Sequence, residues 1–228
     1  MRQLTYAAWL WILLSTTTLF AQQGQEVSIG SFSDIELSIA ATVYLTQGPL
    51  KVHIDATDPR DFDALNKSAH NDSWHIKFTP SIWSQKGIIT IYISVPQLKD
   101  IDITGSGQVI GQQAFKGEKF EFSVTGSGAI DFELEDAQEV KAEVTGSGHV
   151  VLKGQAEEIE IKIAGSGSID ATHLQVAEAD AEITGSGYAK VFAIRELEAE
   201  IMGSGTVYYK GQPKIEANTF GSGQVKPL

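Results

Sequence analysis

The tripeptide Gly-Ser-Gly recurs along this chain, starting at Gly105, Gly126, Gly146, Gly165, Gly185, Gly203 and Gly221, at separations of 21, 20, 19, 20, 18 and 18 residues. A fixed period of that length is the mark of a solenoid, in which one supersecondary unit is stacked on copies of itself. Two residues before each first glycine stand Ile103, Val124, Val144, Ile163, Ile183, Ile201 and Thr219, and four before it Ile101, Phe122, Ala142, Ile161, Ala181, Ala199 and Ala217. The positions between them are mostly Asp, Glu, Lys or Ser, so the side chains alternate with period two, the pattern of a strand with one buried face. Two residues beyond each turn the chain is apolar again, at Val109, Ile130, Val150, Ile169, Ala189, Val207 and Val225.

One repeat therefore reads strand, tight turn, strand and a looser return. About 19 residues per repeat leave no room for two helices. The fold expected is all-β: a single-stranded right-handed parallel β-helix, or β-solenoid, of about 18–21 residues per coil. A lone coil buries too little apolar surface to offset the ordering of its backbone, which is why the unit recurs. The turns call for glycine at both positions: Gly105 and Gly107, Gly126 and Gly128, Gly146 and Gly148, Gly165 and Gly167, Gly185 and Gly187, Gly203 and Gly205, Gly221 and Gly223. A sharp corner needs positive φ, and stacking places serine over serine along one edge.

The chain opens with "MRQLTYAAWLWILLSTTTLFAQQ", one Arg before a short apolar run that ends in small residues, the layout of a secretory signal peptide with cleavage expected after Ala21. The apolar run is too short for a spanning helix, so no transmembrane span is expected. There is no cysteine, which excludes disulfides, thiolate metal sites and a cysteine nucleophile. Hydrophobic residues make up 42% and charged residues 20%, enough for a packed core, and the net charge of -12 argues against nucleic-acid partners. Residues 22–100 lack the turn motif but alternate well, and are expected to start and cap the solenoid, with one helical turn near Asp61 to Lys67; residues 101–228 carry the repeat within the same continuous domain.

The succession "FSDIELSIAATVYLTQG", "KVHID", "HIKF" and "ITIYISVPQLKDIDITGSGQV", followed by further "TGSG" turns, resembles the putative auto-transporter adhesin, head GIN domain family of exported bacterial proteins. The resemblance runs from about Phe32 onward. It implies an exported, single-chain right-handed β-helix and supplies no catalytic residues.

Other chemistry fits less well. No helix or lysine follows the turns, as a phosphate loop would need, and none has the Gly-x-Ser-x-Gly form of a nucleophile elbow. Calcium-binding repeats place Asp one step from where Asp131 and Asp170 stand, so no metal or other cofactor is expected. Polysaccharide cleavage needs paired carboxylates walled by loops, and coils this short leave nothing for such loops. Exposed aromatic residues are the remaining candidates for surface contact: Trp74, Trp83, Tyr208 and Tyr209, of which the adjacent tyrosines must face opposite ways. The function expected is a non-enzymatic structural or adhesin role in the periplasm, at the outer surface or secreted, with an envelope protein or glycan as partner and self-association through the edge of the C-terminal coil. A carbohydrate-binding module is the alternative reading, followed by a polysaccharide-degrading enzyme.

Overall fold

A computed structural model describes residues 24–80 and 83–228; the expected signal peptide, residues 1–21, lies outside the described residues. In chain order the elements are β1 (Gln25–Val27), β2 (Asp34–Leu37), β3 (Ala41–Gln47), β4 (Lys51–Ala56), α1 (Pro59–Ala64), β5 (Ser73–Ile76), β6 (Ile89–Val95), β7 (Asp100–Gly105), β8 (Gln108–Lys116), β9 (Lys119–Gly126), β10 (Ala129–Gly146), β11 (His149–Gly165), β12 (Ser168–Gly185), β13 (Tyr188–Gly203), β14 (Thr206–Lys210), β15 (Lys214–Gly221) and β16 (Gln224–Pro227). They form a parallel β-solenoid.

The Gly-Ser-Gly turns lie directly above one another. Each serine N–H donates to the first-glycine carbonyl of the coil before, at 2.8 Å from Ser127 to Gly105 through to Ser222 to Gly203. The first glycine of every turn has positive φ, from 110° at Gly105 to 126° at Gly221. The second glycine is required for a different reason: a Cβ on Gly167 would stand 2.4 Å from Val144 Cγ1 and 2.8 Å from the Gly148 carbonyl. The serine side chains stand on the exposed edge.

The looser return is a second corner, and it bends β10 to β13 without breaking them. In β10 it falls at Asp136, with φ of 52°; Gly154 and Gly211, at 106° and 104°, serve later coils. Strand halves before this corner pair with one another, as Ala129–Leu134 with His149–Gly154, and halves after it do the same, as Glu139–Gly146 with Glu158–Gly165. Two walls result, and their inward side chains meet in one continuous core. Each buried branched residue, such as Ile161 or Ile183, contributes about 1.5–3 kcal/mol.

The N-terminal end departs from the parallel stack. β4 runs antiparallel to β6, and β1 antiparallel to β4, while β3 joins β6 and β8 in parallel. β4 thus reverses the direction of the stack at this end, and β1, the outermost strand among the described residues, reverses it again. α1 begins at an Asp58 cap whose side chain accepts from the Arg60 N–H, and it covers this end together with Trp74, which is fully buried and donates to the Asn66 carbonyl at 3.1 Å.

Among the described residues, the other end is uncovered. Every residue of β15 is exposed, including the inward-facing Ile215. The N–H groups of Gln224, on β16, and Leu228, just beyond it, donate back to the Gly205 and Tyr209 carbonyls at 3.1 and 2.9 Å. By the alternation of a parallel ladder, Pro227 lies on the outer side, where it offers no donor and blunts half of this edge.

Candidate functional site: two unlike faces

Alternation leaves each wall with an outer face, and the two faces differ in chemistry. The wall built from β2, β5, β7, β9, the second halves of β10 to β13, and β15 is acidic. One column runs Asp34, Asp100, Glu121, Lys141, Glu160, Asp180, Glu198, Glu216. Its neighbour runs Glu36, Asp102, Ser123, Glu143, Lys162, Glu182, Glu200, Asn218. The few lysines act as clamps between rungs: Lys141 Nζ lies 3.2 Å from Glu160, which also accepts from Lys162 at 2.5 Å. Their hydrogen bonds hold Glu160 below the ordinary carboxylate range.

Where burial outweighs the clamping lysines, the proton affinity rises. Burial and the flanking Glu121, Asp34, Asp102 and Glu36 push Asp100 up to about 6, and its Oδ1 has no hydrogen-bond partner. Asp180 is raised by burial and by Glu160 and Glu182. Because the folded state holds the Asp100 proton more tightly than the unfolded chain, stability is highest below about pH 4 for this group and falls as pH rises through 6. Asp100→Asn is therefore expected to stabilise the protein at pH 7.5 by about 1 kcal/mol, after allowance for solvent screening of a half-exposed group. It should also flatten the change in melting temperature between pH 4.5 and 7; an unchanged slope refutes the assignment.

The opposite face is built from β3, β4, β6, β8, the first halves of β10 to β13, β14 and β16. Its lysines and carboxylates balance, and several pair across rungs: Lys153 with Asp131 at 2.7 Å and Lys190 with Asp170 at 2.9 Å. The hydrogen bond to Asp170 raises the Lys190 pKa. Tyr44 and Tyr92 stack on each other with centroids 5.3 Å apart, so the ring faces that could receive a sugar are partly occupied. Toward the C-terminal coils the rings are arranged differently. Lys226 Nζ sits 5.0 Å from the Tyr208 ring centroid, Lys210 4.2 Å from that of Phe192, and Lys190 5.6 Å from that of Tyr188. Tyr188 and Tyr208 meet edge to face at 6.4 Å.

The expected contact residues fare unequally. Trp74 is wholly buried at the N-terminal cap, against Phe32, and is no surface contact; an indole flanked by the alternating apolar residues of a strand was available to the core. Trp83 is half-buried, donating its indole N–H to Asp61 at 2.8 Å while lining a shallow hollow of about 450 Å³. Tyr208 faces out and Tyr209 packs partly against the core, as alternation requires. Asp131 and Asp170 are engaged by lysines. A serine and a histidine do meet, Ser168 Oγ and His149 Nδ1 at 2.6 Å, but the serine is 8% exposed and no carboxylate orients the imidazole among the described residues, so the pair ties two rungs and is not an assembled triad. The lysine–aromatic cluster was not foreseen. Its signal lay in the repeat: aligned on the first glycine, Lys190, Tyr208 and Lys226 occupy one column.

A groove of about 840 Å³ lies on the acidic wall, where the segment around Lys99 meets that around Gly117, and it is lined by lysines and carboxylates of both signs. No helix among the described residues is long and apolar enough to cross a membrane.

Stacked glycine corners, two walls and one uncovered end define a parallel β-solenoid that presents one acidic and one charge-balanced surface. The chain belongs to the family described as "Putative auto-transporter adhesin, head GIN domain", which it matches over residues 31–213. Among solved structures it resembles a putative adhesin from Bacteroides fragilis at 22% identity and a TM-score of 0.80, covering 90% of this chain and 96% of that one. It also resembles a putative lipid binding protein from Parabacteroides distasonis, at 24% identity and a TM-score of 0.73, with the same coverage. A putative adhesin from Parabacteroides merdae matches at 19% identity and a TM-score of 0.68, covering 90% and 95% of the two chains. These likenesses establish the fold. No curated protein matches.

Proposed function

We propose that this protein is an exported, non-catalytic adhesive module of the bacterial cell envelope, in contact with its partner through the outer faces of the solenoid. The observation that carries the reading is the division of charge: one face holds nearly all of the acidic excess, and the other is balanced and ends in partly exposed aromatic rings capped by lysines. A molecule so polarised approaches any anionic surface with the balanced face forward. The adhesin naming of the family and of two similar structures supports the same reading. The test is adhesion itself: beads coated with residues 22–228 are expected to resist washing from bacterial or glycan-coated surfaces where bare beads do not. Equal loss of both would end the proposal, and release of new reducing ends from a polysaccharide would replace it with the enzymatic alternative.

The edge of β15 provides a second contact, to another copy of the chain. On its outer side the backbone groups of Ile215, Ala217 and Thr219 have no ladder partner among the described residues, and the nearby Lys210, Lys214 and Lys226 make this the least acidic rung, where two copies repel least. Sedimentation velocity is expected to show a concentration-dependent dimer that Thr219→Pro abolishes. A wild-type chain that stays monomeric up to about 100 μM, where transient edge pairing would already show, contradicts it.

A further inference from the structure

We propose that the column Lys190, Tyr208, Lys226, with Phe192 and Lys210 beside it, binds a linear acidic polysaccharide lying along the solenoid axis. This deepens the adhesive reading by naming the class of ligand. The three column residues stand on successive rungs, so the backbones of the two lysines are about 10 Å apart with that of Tyr208 between them. That order, cation, ring, cation, suits a chain of pyranoses whose apolar ring faces lie on aromatic carbon and whose carboxylate or sulfate groups reach the lysines. Lys210 and Lys226 rest on rings rather than on carboxylates, so engaging an anion does not require breaking an ion pair. Lys190 is already held by Asp170 and serves as the fixed end of the column.

The shape of the patch selects a narrow ligand over a broad one. A bilayer pressed on the whole face would meet Asp131 and Glu133 as well as the lysines, and the balanced charge of this face gives it no net attraction. A single polymer chain confined to the last three rungs meets Lys190, Tyr208 and Lys226 and stops short of Asp131, which continues the same column through Asp170 and Val151. The acidic opposite wall repels the same polymer, which confines it to one side.

The experiment titrates the full mature chain with sodium polygalacturonate, with neutral dextran, and with phosphatidylglycerol–phosphatidylcholine vesicles. Polygalacturonate is expected to bind and to weaken with added salt, while dextran and vesicles do not bind. Lys210→Glu with Lys226→Glu should lower affinity at least about tenfold, and Tyr208→Ala several-fold, with unchanged melting temperature because all three side chains are partly or wholly solvent-facing. No polygalacturonate binding, equal dextran binding, or full affinity in the double variant overturns the proposal. Vesicle binding without polygalacturonate binding assigns the patch to lipid and also overturns it. Adhesion of coated beads that persists when polygalacturonate binding fails removes this proposal alone; polygalacturonate binding that persists when adhesion fails removes only the adhesive reading.

Discussion

Gly165→Ala is expected to destabilise the protein by about 3–4 kcal/mol, a large loss for one methyl group. Two costs combine. The φ of +119° is one that a residue with a Cβ rarely adopts, and the added carbon would lie 2.6 Å from the Gly146 carbonyl, a rigid part of the coil beneath. Gly105 separates the two. Its φ is +110° but nothing lies within 4 Å of its hypothetical Cβ, because no Gly-Ser-Gly corner stands below it. Gly105→Ala should therefore cost only the conformational part, about 1–2 kcal/mol. Urea denaturation of both variants measures the difference. Equal losses would mean that the close approach of the corners contributes nothing, and that stacking does not impose the glycine.

The second large effect belongs to Asp61, a carboxylate with no exposed surface. It accepts from the Trp83 indole at 2.8 Å, from the Lys86 N–H at 2.9 Å and from the Gly87 N–H at 2.7 Å, and so ties α1 to the segment that leads into β6. Asp61→Ala leaves three donors unsatisfied at the buried end of the stack, and an expected loss of about 3–5 kcal/mol follows. Asp61→Asn keeps an acceptor oxygen but turns a donor toward the others, and should fall between. Because Trp83 is one of the donors, its fluorescence reports on the site directly: the transition should move to lower urea and the emission to the red. A variant that unfolds at the wild-type midpoint would show that the cap is held by its apolar contacts alone.

These two residues also mark how much the sequence discloses. Gly165 belongs to a motif whose period, alternation and glycine demand can be read without coordinates, since each constraint is local and repeated. The acidic columns are legible on the same alignment, because strands in register convert sequence offset into spatial column. Asp61 is not legible. It stands in a polar, turn-like stretch, and its three donors lie more than twenty residues away, brought together only when the cap folds. Trp74 misleads for a related reason: a lone aromatic outside the repeat has no aligned counterpart to show which way it points. The antiparallel pairing of β4 with β6 is hidden likewise, since β6 enters between β3 and β4 from far along the chain.

The two corners of the coil differ in what they tolerate. At the Gly-Ser-Gly corner the ladder runs through without a slip, whereas the pairing skips at Leu134/Ala137, Val151/Lys153 and Ala171/Gln175, all on the return side. The whole variation in coil length, from 18 to 21 residues, is thus absorbed along one ridge of the molecule. Relatives of this chain are free to graft longer loops onto that ridge while the glycine spine keeps its count, so diversification of recognition in such proteins should be sought along the return ridge and not across the spine.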